Sequence, residues 1–271
     1  MKEVEEILRA ARQSRKTHMM TFQNRFIPAV IRAKQMIQSG FIGSPISFRS
    51  AYLHSGYVDP NRPITWRLER SKSGGGALAD LGSHVIDLIR FLLGDFKKVF
   101  CTKGTLVKER PLPGNPGVKQ EVDVEDYAFL LLELENGSHG TLEASRVATG
   151  SNDDMKIEIH GTQGAISFDL MNPNWLFAYD ARDEAGPYGG NRGFKRIESI
   201  QAYPNPPAII LAQKSSFGWT RSHIASQYEL IKALASDTPA KPDFTDGYQT
   251  QKTIEAAYKS AEKETWVAIN E

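Results

Sequence analysis

The chain has 271 residues, of which 40% are hydrophobic and 24% charged, a composition typical of a globular protein. Its formal net charge of +1 gives no electrostatic reason to bind nucleic acid or an anionic membrane. Cys101 is the only cysteine, which excludes a disulfide framework and a cysteine-based zinc site. The N-terminus lacks the apolar segment of a signal peptide, no apolar run approaches the roughly 20 residues needed to span a bilayer, and a single thiol suits a reducing compartment. We therefore expect a cytoplasmic protein.

The first third of the chain predicts helices with short strands between them. Residues 2–15 place apolar side chains at helical spacing, and residues 17–22 (THMMTF) predict a short buried strand. A second helix is predicted for residues 27–43, and the alternation in residues 46–53 predicts a strand. After a polar segment interrupted by prolines, residues 73–95 (SGGGALADLGSHVIDLIRFLLGD) predict the longest apolar helix.

From Lys97 onward the sequence changes to a succession of strand patterns. The strand candidates are residues 97–109, 126–147, 155–170, 175–181 and 194–202. ENGS and HGTQG resemble hairpin turns, whereas PLPGNPGVKQ and DEAGPYGGNRGF predict surface loops. Two helices close the chain, with Ser222 and Asp246 as the expected N-caps. The whole pattern predicts an α+β fold, with a large open, mainly antiparallel sheet that carries helices on one face.

Residues 74–79 (GGGALA) fit the loose glycine pattern of a dinucleotide-binding loop. That fingerprint requires a buried strand directly before the glycines and a βαβ unit around them. Here the preceding TWRLERSKS is polar, and the strands that follow have an antiparallel pattern. The sequence therefore favours a glycine turn at the start of a helix over a phosphate-binding loop.

Asp80 and His84 lie four positions apart, so both side chains are expected on one face of the helix, with Asp87 close to that face. A histidine beside carboxylates suits proton transfer, because imidazole titrates near neutral pH. The spacing alone favours a structural role over catalysis, with Asp80 as a first-turn acid favoured by the helix dipole and His84 as a buried histidine with its hydrogen bonds satisfied. No metal site is predicted, because a third ligand is lacking nearby.

Several motifs occur in a fixed order, namely NRFIP, SGFIGSP, TWR, the glycine stretch and IHGTQGAISF. In this order the chain resembles the Gfo/Idh/MocA oxidoreductases, and its most specific part is residues 74–87. The resemblance implies an NAD- or NADP-dependent enzyme acting on a sugar, a polyol or a related CH–OH compound. It implies His84 as the general base and Asp80 as its orienting partner, whereas Asp87 would be structural. It also implies substrate-binding roles for the following residues: Arg25, Trp66 and Arg67.

The chain departs from the family pattern because it has no N-terminal strand–glycine loop–helix and no Glu-Lys-Pro motif, whose lysine is catalytic in the family. By this resemblance, residues 1–26 are predicted to be the last helix and strand of a Rossmann domain that is otherwise missing. Residues 27–271 would then form the C-terminal substrate-binding and oligomerisation domain. We expect no cofactor to be bound by this chain alone.

Two further functions stay open beside that of a dehydrogenase substrate domain. One is a non-catalytic sugar-binding or dimerisation module, and the other is an NAD-dependent glycosidase, which some relatives of the family are. The expected partners are a small sugar or polyol and further copies of the chain, which would form a dimer or tetramer through the uncovered sheet face. Three other histidines are polar candidates for which a surface or strand-end role is expected: His54, His160 and His223.

Overall fold

The computed structural model describes residues 1–202, 214–216 and 218–270, which form an α+β fold built around a large mixed sheet. The helices are α1 (Lys2–Ser14), α2 (Pro28–Gln38), α3 (Arg70–Ser73), α4 (Ser83–Leu93), α5 (Trp219–Ala235) and α6 (Phe244–Lys263). The strands are β1 (Pro45–Leu53), β2 (Phe96–Gly104), β3 (Glu109–Leu112), β4 (Asn115–Glu121), β5 (Tyr127–Leu134), β6 (His139–Ser145), β7 (Asp154–Gly161), β8 (Gly164–Asp169), β9 (Trp175–Asp180), β10 (Lys195–Glu198) and β11 (Val267–Ala268). Among the described helices none is long and apolar enough to cross a membrane.

The sheet has nine strands in the order β10-β9-β8-β7-β1-β6-β5-β2-β11, and β3 pairs separately with β4. Only β1 and β6 are parallel neighbours among these strands, so the predicted mainly antiparallel sheet is confirmed. At the end of β1, Leu53 pairs with Ser145 on one side and with Asp154 on the other. The carboxyl ends of β1 and β6 and the beginning of β7 therefore meet at one edge of the sheet.

Helices cover one face of the sheet, as the sequence predicts. In β5, Leu130 and Leu132 point to this face and are 2% and 1% exposed, whereas Phe129 and Leu131 on the other face are 44% and 47% exposed. This alternation follows from the two-residue period of a strand. The apolar side of α4 completes the same core, with Val85, Ile86, Leu88 and Ile89 fully buried.

The strand predicted for residues 17–22 does not form. Among the described residues its backbone makes one hydrogen bond to a distant segment, from Met20 to Pro242, and no strand of that part of the chain lies alongside to continue a ladder. Conversely, the loop predicted for PLPGNPGVKQ belongs to the hairpin of β3 and β4. Gly114 takes a positive φ of +76° between these strands, and a register irregularity beside Pro111 accommodates the proline that favoured a loop.

The predicted N-caps of the last two helices are both displaced. Helix α5 begins after Gly218, so Ser222 lies within its first turn and donates its hydroxyl back to the Trp219 carbonyl. Helix α6 is capped by Asp243, and Asp246 closes the same capping box from the third helical position. Asp246, which the sequence indicates as the N-cap, is therefore the reciprocal partner of the actual cap residue, Asp243.

Candidate active site

The glycine stretch forms a turn, and each of its three glycines is required for a different steric reason. Gly74 ends α3 with a φ of +77°, a conformation that side chains rarely adopt. A Cβ atom on Gly75 would collide with the hydroxyl of Tyr258, and one on Gly76 would collide with the backbone of Glu125. The glycines thus let the chain pass close to α6 and to the segment before β5.

The amides of this turn are already occupied by an internal carboxylate. Glu125 is 3% exposed, and its Oε1 accepts hydrogen bonds from Gly76 N (3.0 Å), Leu78 N (3.0 Å) and the Tyr258 hydroxyl (2.9 Å). A phosphate at the start of a helix would use the same backbone donors. The glycine turn favoured by the sequence is therefore observed, and Glu125 stands where a phosphate-binding loop would hold its ligand.

Residues Leu78–Gly82 form a π-helical turn before α4, not the regular helix that the sequence predicts. Such single turns are frequent at functional sites. A Cβ atom on Gly82 would stand 2.8 Å from the Leu78 side chain of the same turn, but at an ordinary contact distance of 3.5 Å from Ala144 on β6. The turn presents Asp80, with 44% of its side chain exposed, at the edge where β1 and β6 end.

Arg146, at the end of β6, fixes the Asp80 carboxylate. Its side chain is only 3% exposed; Nη2 donates to Asp80 Oδ2 at 2.9 Å and Nη1 to the carbonyl oxygen of Arg67 at 3.3 Å. The guanidinium also lies over the Tyr57 ring, 5.5 Å from its centroid. Asp80 is thus held in place by a buried cation while it remains accessible to solvent.

His84 follows in the first turn of α4 and lies between two aromatic rings. Its imidazole meets Phe22 and Tyr52 edge-on, each with a centroid distance of 6.1 Å. Among the described residues its buried Nδ1 atom has no hydrogen-bond partner. Burial lowers the pKa of His84 below its usual value, and the negative charges of Asp80 and Asp153 oppose that shift only in part. A neutral imidazole with a free nitrogen can accept a proton.

A second carboxylate, which the sequence did not indicate, joins this cluster from the segment before β7. Asp153 Oδ1 accepts a hydrogen bond from the Tyr52 hydroxyl (2.7 Å) and contacts His54 Nε2 at 3.1 Å. The hydrogen bond from His54 is the main cause that lowers the pKa of Asp153. Tyr52 and His54 lie at the end of β1, which pairs with the beginning of β7. Asp153 directly precedes β7, so this pairing brings the three residues together. For His54 the expected strand-end position is observed.

The other predicted residues fall in three places. Trp66 and Arg67 lie beside the Asp80 turn, with the guanidinium 4.5 Å from the Trp66 ring, and the Arg67 carbonyl receives Arg146. His223, on α5, lies 4.2 Å from the Trp219 ring and acts electrostatically on His84. His160 pairs with Ser47 at the opposite end of β7, away from this cluster.

Arg25 meets α4 one helical turn beyond His84, in an ion-pair cluster. Its Nε and Nη2 atoms donate to Asp87 at 2.8 and 2.5 Å, and Nη2 also reaches Asp246 at 3.0 Å. Asp87 is 1% exposed. These contacts join the start of α6 to the middle of α4, so they give Arg25 and Asp87 a structural role; substrate binding by Arg25 stays a prediction. No His, Cys, Asp or Glu cluster in the described part of the chain could hold a metal ion.

Comparison with known proteins identifies the relatives of this chain. Residues 30–167 match the family model of the GFO/IDH/MocA C-terminal domain. A levoglucosan dehydrogenase of Pseudarthrobacter phenanthrenivorans is 36% identical over 93% of this chain and 66% of its own length. A solved levoglucosan dehydrogenase in complex with NADH and levoglucosan superposes with a TM-score of 0.93, at 35% identity over all of this chain and 70% of that chain.

An NAD binding oxidoreductase from Klebsiella pneumoniae superposes with a TM-score of 0.91, at 30% identity over 99% of this chain and 70% of that chain. The chain thus spans about two thirds of the length of the relatives it matches. The likeness covers the whole sheet and the helices packed on it.

Proposed function

Because the chain belongs to the Gfo/Idh/MocA family of oxidoreductases, we propose that it is the substrate domain of an NAD(P)-dependent dehydrogenase that acts on a sugar or polyol. The observation that carries this proposal is the proximity of His84, whose buried Nδ1 has no partner among the described residues, to the accessible Asp80 carboxylate that Arg146 fixes. The solved relative in complex with NADH and levoglucosan supports the substrate class.

In this proposal His84 accepts the proton of the substrate hydroxyl. Oxidation of a carbinol carbon removes one proton from oxygen and one hydride from carbon, so a base must stand at the oxygen. Burial lowers the pKa of His84 and keeps its imidazole neutral at pH 7, ready to take that proton. Asp80 stabilises the imidazolium that forms and orients the substrate hydroxyl, because the buried Arg146 holds its carboxylate in place.

A nicotinamide cofactor supplies the acceptor for hydride in such enzymes. The backbone amides of Gly76 and Leu78 in the glycine turn are bonded to Glu125 and are not free to bind its phosphates. We therefore assign only the proton and the substrate to this chain. We propose that residues 1–26 are the end of a nucleotide-binding domain and residues 27–271 the substrate domain, a division supported by the 70% of the NADH-bound relative that the chain covers. The second candidate is a non-catalytic sugar-binding module, in which the accessible Asp80 carboxylate binds a hydroxyl and His84 moves no proton.

The test is a titration of the 271-residue chain with levoglucosan, L-sorbose and myo-inositol, followed by calorimetry and, where His84 is kept, also through its imidazole NMR signals. At least one of these sugars should shift the signals, and His84→Gln or Asp80→Asn should weaken binding, whereas His160→Gln at the other end of β7 should leave binding unchanged. No binding of any of the three sugars would contradict the proposal. Sugar binding that His84→Gln and Asp80→Asn leave unchanged would favour the non-catalytic module.

We also propose that the uncovered face of the sheet joins copies of this chain. Two large apolar side chains are exposed on this face from one strand, since Phe129 and Leu131 of β5 are 44% and 47% exposed. Exposed apolar side chains that lie together favour an interaction site. Leu131→Glu should dissociate the oligomer in light scattering, whereas Leu106→Glu, at a leucine that is 61% exposed in the segment after β2, should not. A monomeric wild type would contradict this proposal.

A further inference from the structure

We infer that Asp153, held by Tyr52 and His54, is a second substrate-binding carboxylate, which accepts a hydrogen bond from a hydroxyl other than the one His84 deprotonates. The inference rests on the proposed function and sharpens its substrate class: the site takes a neutral molecule with at least two hydroxyls, not a simple alcohol.

The two oxygens of Asp153 are used differently. Oδ1 takes both protein contacts, from Tyr52 at 2.7 Å and from His54 at 3.1 Å. For Oδ2 the described residues supply no hydrogen-bond donor. The side chain of Asp153 is 36% exposed, so a ligand can reach its carboxylate although Tyr52 and His54 hold Oδ1. A carboxylate fixed through one oxygen presents the other as a strong, preoriented acceptor.

Asp153 belongs to the same cluster as the proposed base. The Tyr52 ring contacts the His54 imidazole at a centroid distance of 5.4 Å and the His84 imidazole at 6.1 Å. The charge of Asp153 also raises the pKa of His84, as that of Asp80 does. His84 therefore has one carboxylate from its own turn and another from the segment before β7, and a ligand at His84 lies within the field of both.

Two buried nitrogens in this cluster need partners. His84 Nδ1 and His223 Nε2 are buried and form no hydrogen bond with any described residue. Buried polar atoms are almost always hydrogen-bonded, so such unpaired atoms require an explanation. A polyhydroxylated ligand supplies donors and acceptors at several points, whereas the negative charges of Asp80 and Asp153 disfavour an anion. The exposed ring of Trp219, packed on His223, adds an aromatic surface of the kind that sugar rings contact.

The decisive variant is Asp153→Asn, which keeps the shape of the side chain and an acceptor for Tyr52 but removes the charge. The groups that act on His84 are Asp80 from its own turn, Asp153 from the segment before β7, His223 from α5 and the ring of Tyr52 from β1. Loss of one of the two carboxylate charges should lower the pKa of His84 in an NMR titration of the 271-residue chain. The dissociation constant for whichever of levoglucosan, L-sorbose or myo-inositol binds the wild type should rise about tenfold.

The matched control is Asp154→Asn at the next residue, whose carboxylate pairs with Lys156 and does not act on His84. It should change neither the pKa nor the affinity. If Asp153→Asn binds the sugar as tightly as the wild type, the second subsite is wrong and the proposed function stands. If the wild type binds none of the three sugars, both are wrong. Should Asp153→Asn fail to fold, His54→Phe provides the same test, since it removes one of the two contacts that fix the carboxylate, and unchanged affinity there overturns the inference.

Discussion

Asp80 and Asp87 are two carboxylates seven positions apart, each held by an arginine, and their surroundings differ in almost every other respect. Asp80 is 44% exposed and meets Arg146 through one oxygen. Asp87 is 1% exposed and meets Arg25 through both oxygens, at 2.8 and 2.5 Å. An arginine partner therefore does not mark a functional carboxylate. What distinguishes Asp80 is that it is fixed and still has an accessible oxygen.

The two arginines, Arg25 and Arg146, differ in the same way as the carboxylates that they bind. Arg25 makes three hydrogen bonds to two carboxylates and stacks on the Phe91 ring at 4.9 Å, so its guanidinium is committed to joining α4 with α6. Arg146 bonds one carboxylate and the carbonyl of Arg67 at the edge of the sheet. The first arrangement stabilises the fold, and the second orients a side chain toward solvent. Substitutions on the two sides should therefore separate stability from binding.

The largest effect is expected from Asp87→Ala. Removing one partner of a buried ion pair leaves the other charge without compensation, which costs about 3–5 kcal/mol of unfolding free energy. Urea denaturation measures this loss. Glu158→Ala removes an ion pair in which Arg49 and Glu158 are 71% and 47% exposed, and should cost less than about 1 kcal/mol. A small loss of stability in Asp87→Ala together with weaker sugar binding would instead assign the Arg25 cluster to the substrate site.

A smaller loss is expected from Gly76→Ala on the Asp80 side. The added Cβ would collide with the backbone of Glu125, so the turn must shift at a cost of about 1–3 kcal/mol. The shift also moves the π-helical turn and Asp80, so sugar affinity should fall more than stability alone explains. Gly193→Ala is the control, because nothing lies within 4 Å of a Cβ atom there and its φ is not in the left-handed region. Gly76→Ala with wild-type stability and affinity would show that the turn does not position the site.

Local patterns predicted most of the sheet, and pairing over long distances explains what they missed. Alternation in β5 and turn residues such as Gly137 are properties of neighbouring residues, so the hairpin between β5 and β6 could be predicted. The strand expected at residues 17–22 lacks a partner, and the hairpin of β3 and β4 forms although PLPGNPGVKQ reads as a loop. Whether a segment becomes a strand depends on what lies beside it, which the segment itself does not encode.

The residues of the candidate site also divide into those close together in the sequence, which could be predicted, and those that only strand pairing brings together. Asp80 and His84 lie four positions apart on one motif, so spacing and resemblance could single them out. Tyr52 and Asp153 lie 101 positions apart and meet because β1 is placed between β6 and β7. Arg146 is the one addition with a local signal, since a strand of mostly small and apolar residues ends in an arginine. Its partner Asp80 still depends on the parallel pairing of β1 and β6.

The smallest effect concerns the pH dependence of stability, and it links Asp80 to His84. In the native state burial lowers the pKa of His84, whereas the unfolded imidazole takes a proton near its ordinary pKa of about 6.5. Below that pH the unfolded state binds a proton that the native state does not, so the free energy of unfolding falls as the solution is acidified. Urea unfolding at a series of pH values should show this slope in the wild type, and His84→Gln should lose the part that comes from the imidazole.

Asp80→Asn is the sharper variant, because it changes the charge that acts on His84 and leaves the imidazole in place. The carboxylate of Asp80 raises the pKa of His84 against the effect of burial, so its removal should lower that pKa further. The native imidazole would then stay neutral to a lower pH, and the acid-side loss of stability should extend over a wider range than in the wild type. A pH profile identical to that of the wild type would mean that Asp80 and His84 are not coupled. Their proximity would then have the same purely structural meaning as that of Asp87 and Arg25.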